Sequence, residues 1–236
     1  MPDRTIRSMC GRINAKLSPA ALQKLFGSLD IDPEAGAFLD DPRGHYNAAP
    51  TQRLPIVRLA TPAPDASSRL TLTTATWGLV PAWAADKAEP PKVKPINARC
   101  ETVATSGMFR GSFRSRRCIV PAAGYYEWEA VPGQKTKRPH YLHRADDQPM
   151  LLAGLREGDT FTIITTSATP GLEHIHDRTP VVLEPEDVDA WLNPSAEPAE
   201  LQQLLRHPAA GVIAEHVVGT AIGNVKNNGP ELIQPA

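Results

Sequence analysis

Cys10 stands in the run Met9-Cys10-Gly11-Arg12. A cysteine is more often a small buried apolar residue than a reactive one, but Met9 immediately precedes this one. Translation starting at Met9, with loss of that Met, would make Cys10 the N-terminal residue and place a free α-amine and a thiol on neighbouring carbons. An α-amine with a pKa of about 7.7–8.0 is partly neutral at physiological pH and attacks an aldehyde. The thiol then adds to the resulting imine and closes a five-membered thiazolidine ring. The remaining cysteines, Cys100 and Cys118, make an odd count with no CxxC pair. That excludes a disulfide framework and the usual zinc ribbons and fingers.

Three other constellations could carry chemistry. His174 and His176 flank Ile175, and on an extended chain residues two apart share a face. With His140 and His143 nearby in sequence they could hold a metal, but imidazoles without a carboxylate pattern are a weak signal, and acid/base work or plain polar surface explains them better. Glu127 and Glu129 alternate with Tyr126 and Trp128. In a strand both acids face one side and both aromatics the other, which is either a sheet with one solvated face or an acid held at a cleft rim beside stacking surfaces. Between Pro91 and Cys118 lie seven basic residues and the single acid Glu101. A solvated charge run is the ordinary reading, yet Phe109, Phe113 and Trp128 lie close in sequence, and cations with aromatic faces suit phosphates and unstacked bases.

The elements that must position these residues are short. The chain has 236 residues, of which 24 are Pro, and a formal net charge of −1. So much Pro excludes a long-helix bundle, and the balanced charge neither announces nor excludes a nucleic-acid partner. No apolar stretch approaches the roughly 18 residues of a membrane span, and residues 1–8 lack the apolar region of a secretory signal; the expected address is the cytoplasm. Ser18-Pro19 opens a capped helix. Strand-like runs fall at 54–60, 70–77, 117–121, 123–130, 138–144, 149–155 and 160–166, separated by turn residues at hairpin spacing. A helix is expected around 99–109, two acidic-capped helices over 184–206 broken at Pro194, and a last strand over 212–218. The fold class is α+β: one domain, a curved antiparallel sheet or partly closed β-barrel with peripheral helices.

In order along the chain stand CGR at 10–12, YNAAPTQ at 46–52, WGLVPAWA at 77–84, INARCET at 96–102, RRCIVPAAGYYEW at 116–128, IHDRTPVVL at 175–183 and NVKNNGPELI at 224–233. Together they resemble the SOS response-associated peptidase family, which shields abasic sites in single-stranded DNA. The resemblance implies that Cys10 bonds covalently to the ring-opened abasic sugar. It implies that Asn97 hydrogen-bonds at the reacting centre, that Glu127 shuttles protons during imine formation and reversal, and that His176 acts on the sugar as acid/base. Arg12, Arg99 and Arg178 resemble phosphate contacts, Trp77 and Trp128 resemble residues that wedge or stack at a DNA kink, and Pro50 and Thr165 fall in stretches lining the same channel. No metal or other cofactor is implied. The expected partner is single-stranded DNA containing abasic sites, met by a monomer in the cytoplasm and on the nucleoid when bound.

The chemistry agrees with the residue types. An abasic sugar is mostly a closed hemiacetal, so an acid/base group must help open it. Loss of water from the carbinolamine needs a delivered proton, which suits a carboxyl in a dry cleft, and Asn can orient the sugar without competing for that proton. The eight residues before Met9 depart from the family pattern: residues 1–9 are read as a mis-assigned start or a leader removed before activity, and 10–236 as the domain. Cys100 stands where a small residue is usual, and Thr179 where Met is more usual. Two other functions compete: a thiol autopeptidase with Cys10, His176 and Asn97 as nucleophile, base and orienter, limited to self-processing, and a non-covalent binder of single-stranded or modified DNA.

Overall fold

The computed structural model describes residues 11–60, 70–85, 91 and 93–236. Cys10 and the expected leader lie outside the described residues, as do residues 61–69, 86–90 and 92. The chain runs β1 (Ile13–Asn14), α1 (Pro19–Phe26), β2 (Leu29–Ile31), α2 (Pro33–Leu39), β3 (Arg53–Leu59), β4 (Leu70–Trp77), α3 (Ala82–Ala85), β5 (Asn97–Arg99), α4 (Arg110–Ser115), β6 (Arg117–Ala122), β7 (Gly124–Glu129), β8 (Arg138–Arg144), β9 (Met150–Glu157), β10 (Thr160–Ser167), β11 (Arg178–Pro180), β12 (Val182–Leu183), α5 (Val188–Leu192), α6 (Pro198–Gln203) and β13 (Ile213–Val217). Local chemistry starts the first helices: the Ser18 hydroxyl accepts from the Ala21 amide and the Asp32 carboxylate from the Ala35 amide, each with Pro at the first helical position.

A small sheet orders β1-β7-β8-β13, all antiparallel. In the large sheet the pairings β10–β4, β4–β3, β3–β6, β6–β9 and β9–β10 run in a ring, but β3 meets β6 at the single pair Val57–Ile119 and β4 meets β10 at two. The ring is therefore partial. The sheet is also mixed rather than antiparallel, because β2 joins β4, and β4 and β5 join β10, in parallel.

Alternation along the strands sorts the core. Cys118, Val120 and Ala122 of β6 pack with Tyr125, Leu142, Leu152 and Phe161 between the two sheets, while Ile119 packs with Leu22, Val103, Phe113 and Trp191 under the helices. A third cluster of Tyr126, Tyr141, Val218, Ile222 and Leu232 covers the outer face of the small sheet with the C-terminal segment. Buried apolar area of this kind dominates the favourable side of folding. Among the described residues no helix is long and apolar enough to cross a membrane.

The helix expected at 99–109 does not form. Asn97–Arg99 is drawn into a strand beside β10, the next residues make separate turns closed on the Arg99 and Thr102 carbonyls, and the helix comes only at Arg110–Ser115.

Candidate functional site

β10 is the spine of one wall. Its C-terminal half pairs with β5 on one side and β11 on the other, so Ile163 stands opposite Asn97, Thr165 opposite Arg99, and Ser167 opposite Arg178. Residues far apart in sequence thus meet along three rungs. Trp77 sets the height of this wall: its indole N–H donates to the Ile96 carbonyl at 2.9 Å, and its ring stacks against Phe161 in the core. The Trp77 ring is fully enclosed, so no base can stack on it in this arrangement, and its structural work is to hold the segment entering Asn97.

β7 forms the other wall. The Arg12 carbonyl accepts from the Tyr126 amide at 3.1 Å, and the Ala123 amide donates to the Asn14 carbonyl at 2.8 Å, so the chain leaving Cys10 runs along β7 within one residue of Glu127. β7 and β8 approach closely at Gly124, where an added Cβ would stand 2.6 Å from the Leu142 carbonyl oxygen and from the Tyr141 ring. Glu127 points inward with Tyr125, opposite to Tyr126 and Trp128, as the alternation predicts. It is only 4% exposed. The half-buried Trp128 packs on the outer cluster with Tyr126.

Between the walls an open cleft is lined by Glu127, Tyr125, Leu142, His176, Arg178, Thr179 and residues of the 168–175 loop. The Tyr125 hydroxyl lies 3.0 Å from that of Thr179. His176 Nδ1 accepts from the Arg178 amide at 3.1 Å, which fixes the neutral ring with its proton on Nε2. The exposed Asp177 carboxylate, 3.0 Å from the same nitrogen, can bond to it only when that nitrogen carries a proton. The structure therefore brings Glu127 and His176 to one cleft, with Arg178 beside them. Asn97 stands two rungs along β10 from Arg178's pairing position.

The three arginines are not equivalent. Arg178 is buried, its guanidinium forked onto Glu101 and donating to the Thr165 carbonyl at 2.7 Å. That pairing holds the Glu101 carboxyl down at about 2. Thr165 is itself fully buried and accepts through its carbonyl from the Cys100 amide, so it organises the wall rather than presenting a surface. Arg12 donates to Asn47 Oδ1 and to the Ile222 and Gly223 carbonyls, tying the start of the domain to its end, and burial pushes its pKa down. Arg99 is the accessible cation, with a side chain 68% exposed and 3.9 Å from Glu101. Half-buried Pro50 precedes Thr51, whose φ of 74° is unusual for a β-branched residue, and the Thr51 amide is anchored on the Trp77 carbonyl.

Cys100 and Cys118 are both buried, and burial pushes the Cys118 thiol up to about 12, leaving it inert as a nucleophile. Among the described residues no group of His, Cys, Asp and Glu is arranged to hold a metal ion. Sequence reasoning passed over Trp83, 58% exposed on α3; it lies in the same WGLVPAWA block as Trp77, and only the structure separates the enclosed indole from the presented one.

A mixed ring-like sheet, a second sheet carrying a buried acid, and a cleft where that acid meets a histidine and an arginine define a single-domain α+β protein. The chain belongs to the SOS response associated peptidase (SRAP) family, whose model matches residues 9–225. It is 37% identical to the abasic site processing protein YedK of Escherichia coli, over 96% of this chain and all of that one. It is 36% identical to the abasic site processing protein YoqW of Bacillus subtilis, over 96% of this chain and 99% of that one. Among solved structures, a Bacteroides thetaiotaomicron protein superposes with a TM-score of 0.81 at 24% identity, covering 96% of this chain and all of that one, a likeness of fold.

Proposed function

We propose that the protein processes abasic sites in single-stranded DNA by forming a covalent thiazolidine through Cys10 as its N-terminal residue. The observation that carries this reading is the pairing of the segment after Cys10 with β7. Two residues of extended chain span at most about 7 Å, and Arg12 is held one residue from Glu127. The names of the E. coli and B. subtilis relatives agree with it.

The steps follow from the groups at the cleft. His176 exchanges a proton with the sugar so that the hemiacetal opens to its aldehyde. The neutral Cys10 amine adds to that carbonyl carbon and gives a carbinolamine. Glu127 protonates the departing hydroxyl, water leaves, and the imine forms. The Cys10 sulfur adds to the imine carbon, its proton passes to the nitrogen, and the ring closes. Asn97 orients the reacting sugar by hydrogen bonding. Buried Glu127, shielded from bulk water, is suited to move protons in both directions, so the same group serves reversal.

Arg99 and the other exposed cations of 91–118 take the phosphates, and half-buried Trp128 and exposed Trp83 offer faces to bases. Arg178 reaches a phosphate only by exchanging Glu101 for it. Residues 1–9 must be absent from the reactive form.

The test is an intact-mass measurement on protein mixed with abasic single-stranded DNA. A covalent adduct on chains beginning at Cys10 is the expected result. Loss of the leader with no adduct would instead indicate self-processing alone, and neither change would indicate a non-covalent binder. Cys10→Ser should still form an imine but no ring, so its adduct should survive only after borohydride reduction.

A further inference from the structure

His140 sits in the middle of β8 with its side chain 4% exposed. Its Nδ1 lies 2.6 Å from Glu215 on β13 and its Nε2 lies 3.1 Å from Glu129 on β7. An ionised carboxylate cannot donate, and a neutral imidazole has one N–H. Only an imidazolium donates to both acids at once. The carboxylates lie on opposite ring nitrogens, so they share no point where a metal ion would meet both.

The strand register sets His140 directly opposite Glu127, and directly opposed side chains have Cβ atoms about 4.5–5.5 Å apart. Burial penalises the charged form of a carboxylate, whereas a cation within about 4–6 Å favours it. Glu127 has the burial, and an imidazolium at His140 would stand across the strand pair from it.

We propose that His140, gripped as an imidazolium between Glu129 and Glu215, is a positioning residue that sets the charge of Glu127 across the strand pair. The proposal deepens, and rests on, the reading of Glu127 as the proton-transfer group. Burial alone favours the protonated form, whereas a group that takes up and returns a proton must reach both states.

The other charged and titratable groups facing the pair come from four strands and the loop after β10. Arg138 of β8 approaches Glu129 at 3.4 Å and offsets part of its charge, so the two carboxylates do not cancel the imidazolium completely. Glu129 and Glu215 are the acids already named, on β7 and β13. His174, in the loop after β10, stands edge-on to His140 with ring centroids 6.2 Å apart. His176 of that loop and Arg178 of β11 share the cleft with Glu127.

Two measurements test the proposal. In wild-type protein at neutral pH, the ring nitrogen shifts of His140 should show both nitrogens protonated; a neutral ring with one bare nitrogen would overturn it. Carbon-detected titration of the Glu127 carboxyl, assigned with Glu127→Gln, should show its midpoint rising by about one unit or more in His140→Phe and in His140→Gln. Folded variants whose Glu127 midpoint stays at the wild-type value would overturn the proposal, and the nitrogen measurement decides it if neither variant folds. The pH profile of crosslink reversal should move in parallel with the titration. Failure of wild-type protein to bond to abasic DNA would overturn the functional reading, while the titration would still decide this one.

Discussion

Arg178 and Glu127 are both buried at the same cleft, yet they are held by different kinds of neighbour. Arg178 is balanced by Glu101, whose side chain is 49% exposed and therefore within reach of solvent, salt and a competing phosphate. Glu127 lies inside the small sheet, facing a histidine that is itself enclosed. Screening weakens interactions between exposed charges and acts much less on buried ones. The β10 wall should thus respond to ionic strength and the β7 wall to pH. On the proposed reading the phosphate contacts draw mainly on the β10 wall and the proton transfer of Glu127 on the β7 wall, while His176 and Asn97 reach the chemistry from the β10 side.

The largest expected effect is on the β7 wall. A general acid/base contributes about 10²–10⁴-fold, so Glu127→Ala should slow crosslink formation by that order in gel time courses. By microscopic reversibility it should slow reversal as well, so its crosslinks form slowly and persist. From the β10 side, His176→Ala should slow reaction with a native abasic site, and the loss should shrink on an analogue that already presents a free aldehyde. If Glu127→Ala and Glu127→Gln reversed at the wild-type rate, the difference between the walls would be one of packing alone.

Next comes the support of that wall. Gly124→Ala puts a methyl against the Leu142 backbone, which cannot swing aside. Overpacking of this kind costs on the order of 1–3 kcal/mol, read as a lower urea midpoint. An unchanged midpoint would mean that β7 and β8 are not held this closely.

The strands were legible in the sequence because alternation and turn residues are local signals. The runs expected at 70–77 and 138–144 coincide with β4 and β8, and the placement of Glu127 opposite to Trp128 followed from period two. The failures are non-local. Nothing local shows that Asn97–Arg99 is captured by β10, so the segment looked like the start of a helix. β2 and α2 went unread although Asp32-Pro33-Glu34 carries a helix-start signal. Trp77 and Trp83 share one block, and only packing divides them. Glu129, His140 and Glu215 meet through cross-strand register, which joins positions 129, 140 and 215 without any motif.

On the β10 wall the effects are smaller. Arg99→Ala removes one accessible phosphate contact, so the slope of log affinity against log salt for single-stranded DNA should fall in magnitude by about 0.7. An unchanged slope would remove Arg99 from the interface. Smallest is the acid response of Glu101. Its folded pKa of about 2 lies below the ordinary value of 4.5, so its pairing with Arg178 stabilises the fold above pH 4.5 and loses that contribution as pH falls toward 2. Wild type should therefore lose more stability than Glu101→Gln between pH 5 and about 3 in parallel urea titrations, modestly, because the carboxylate is half exposed.

The most direct test of the central claim is to digest the crosslinked protein and locate the peptide that bears the sugar. The account predicts one modified peptide, beginning at Cys10, with the remnant joined through both nitrogen and sulfur. A remnant on a lysine, on the peptides holding Cys100 or Cys118, or on a chain still carrying Met1 would contradict it.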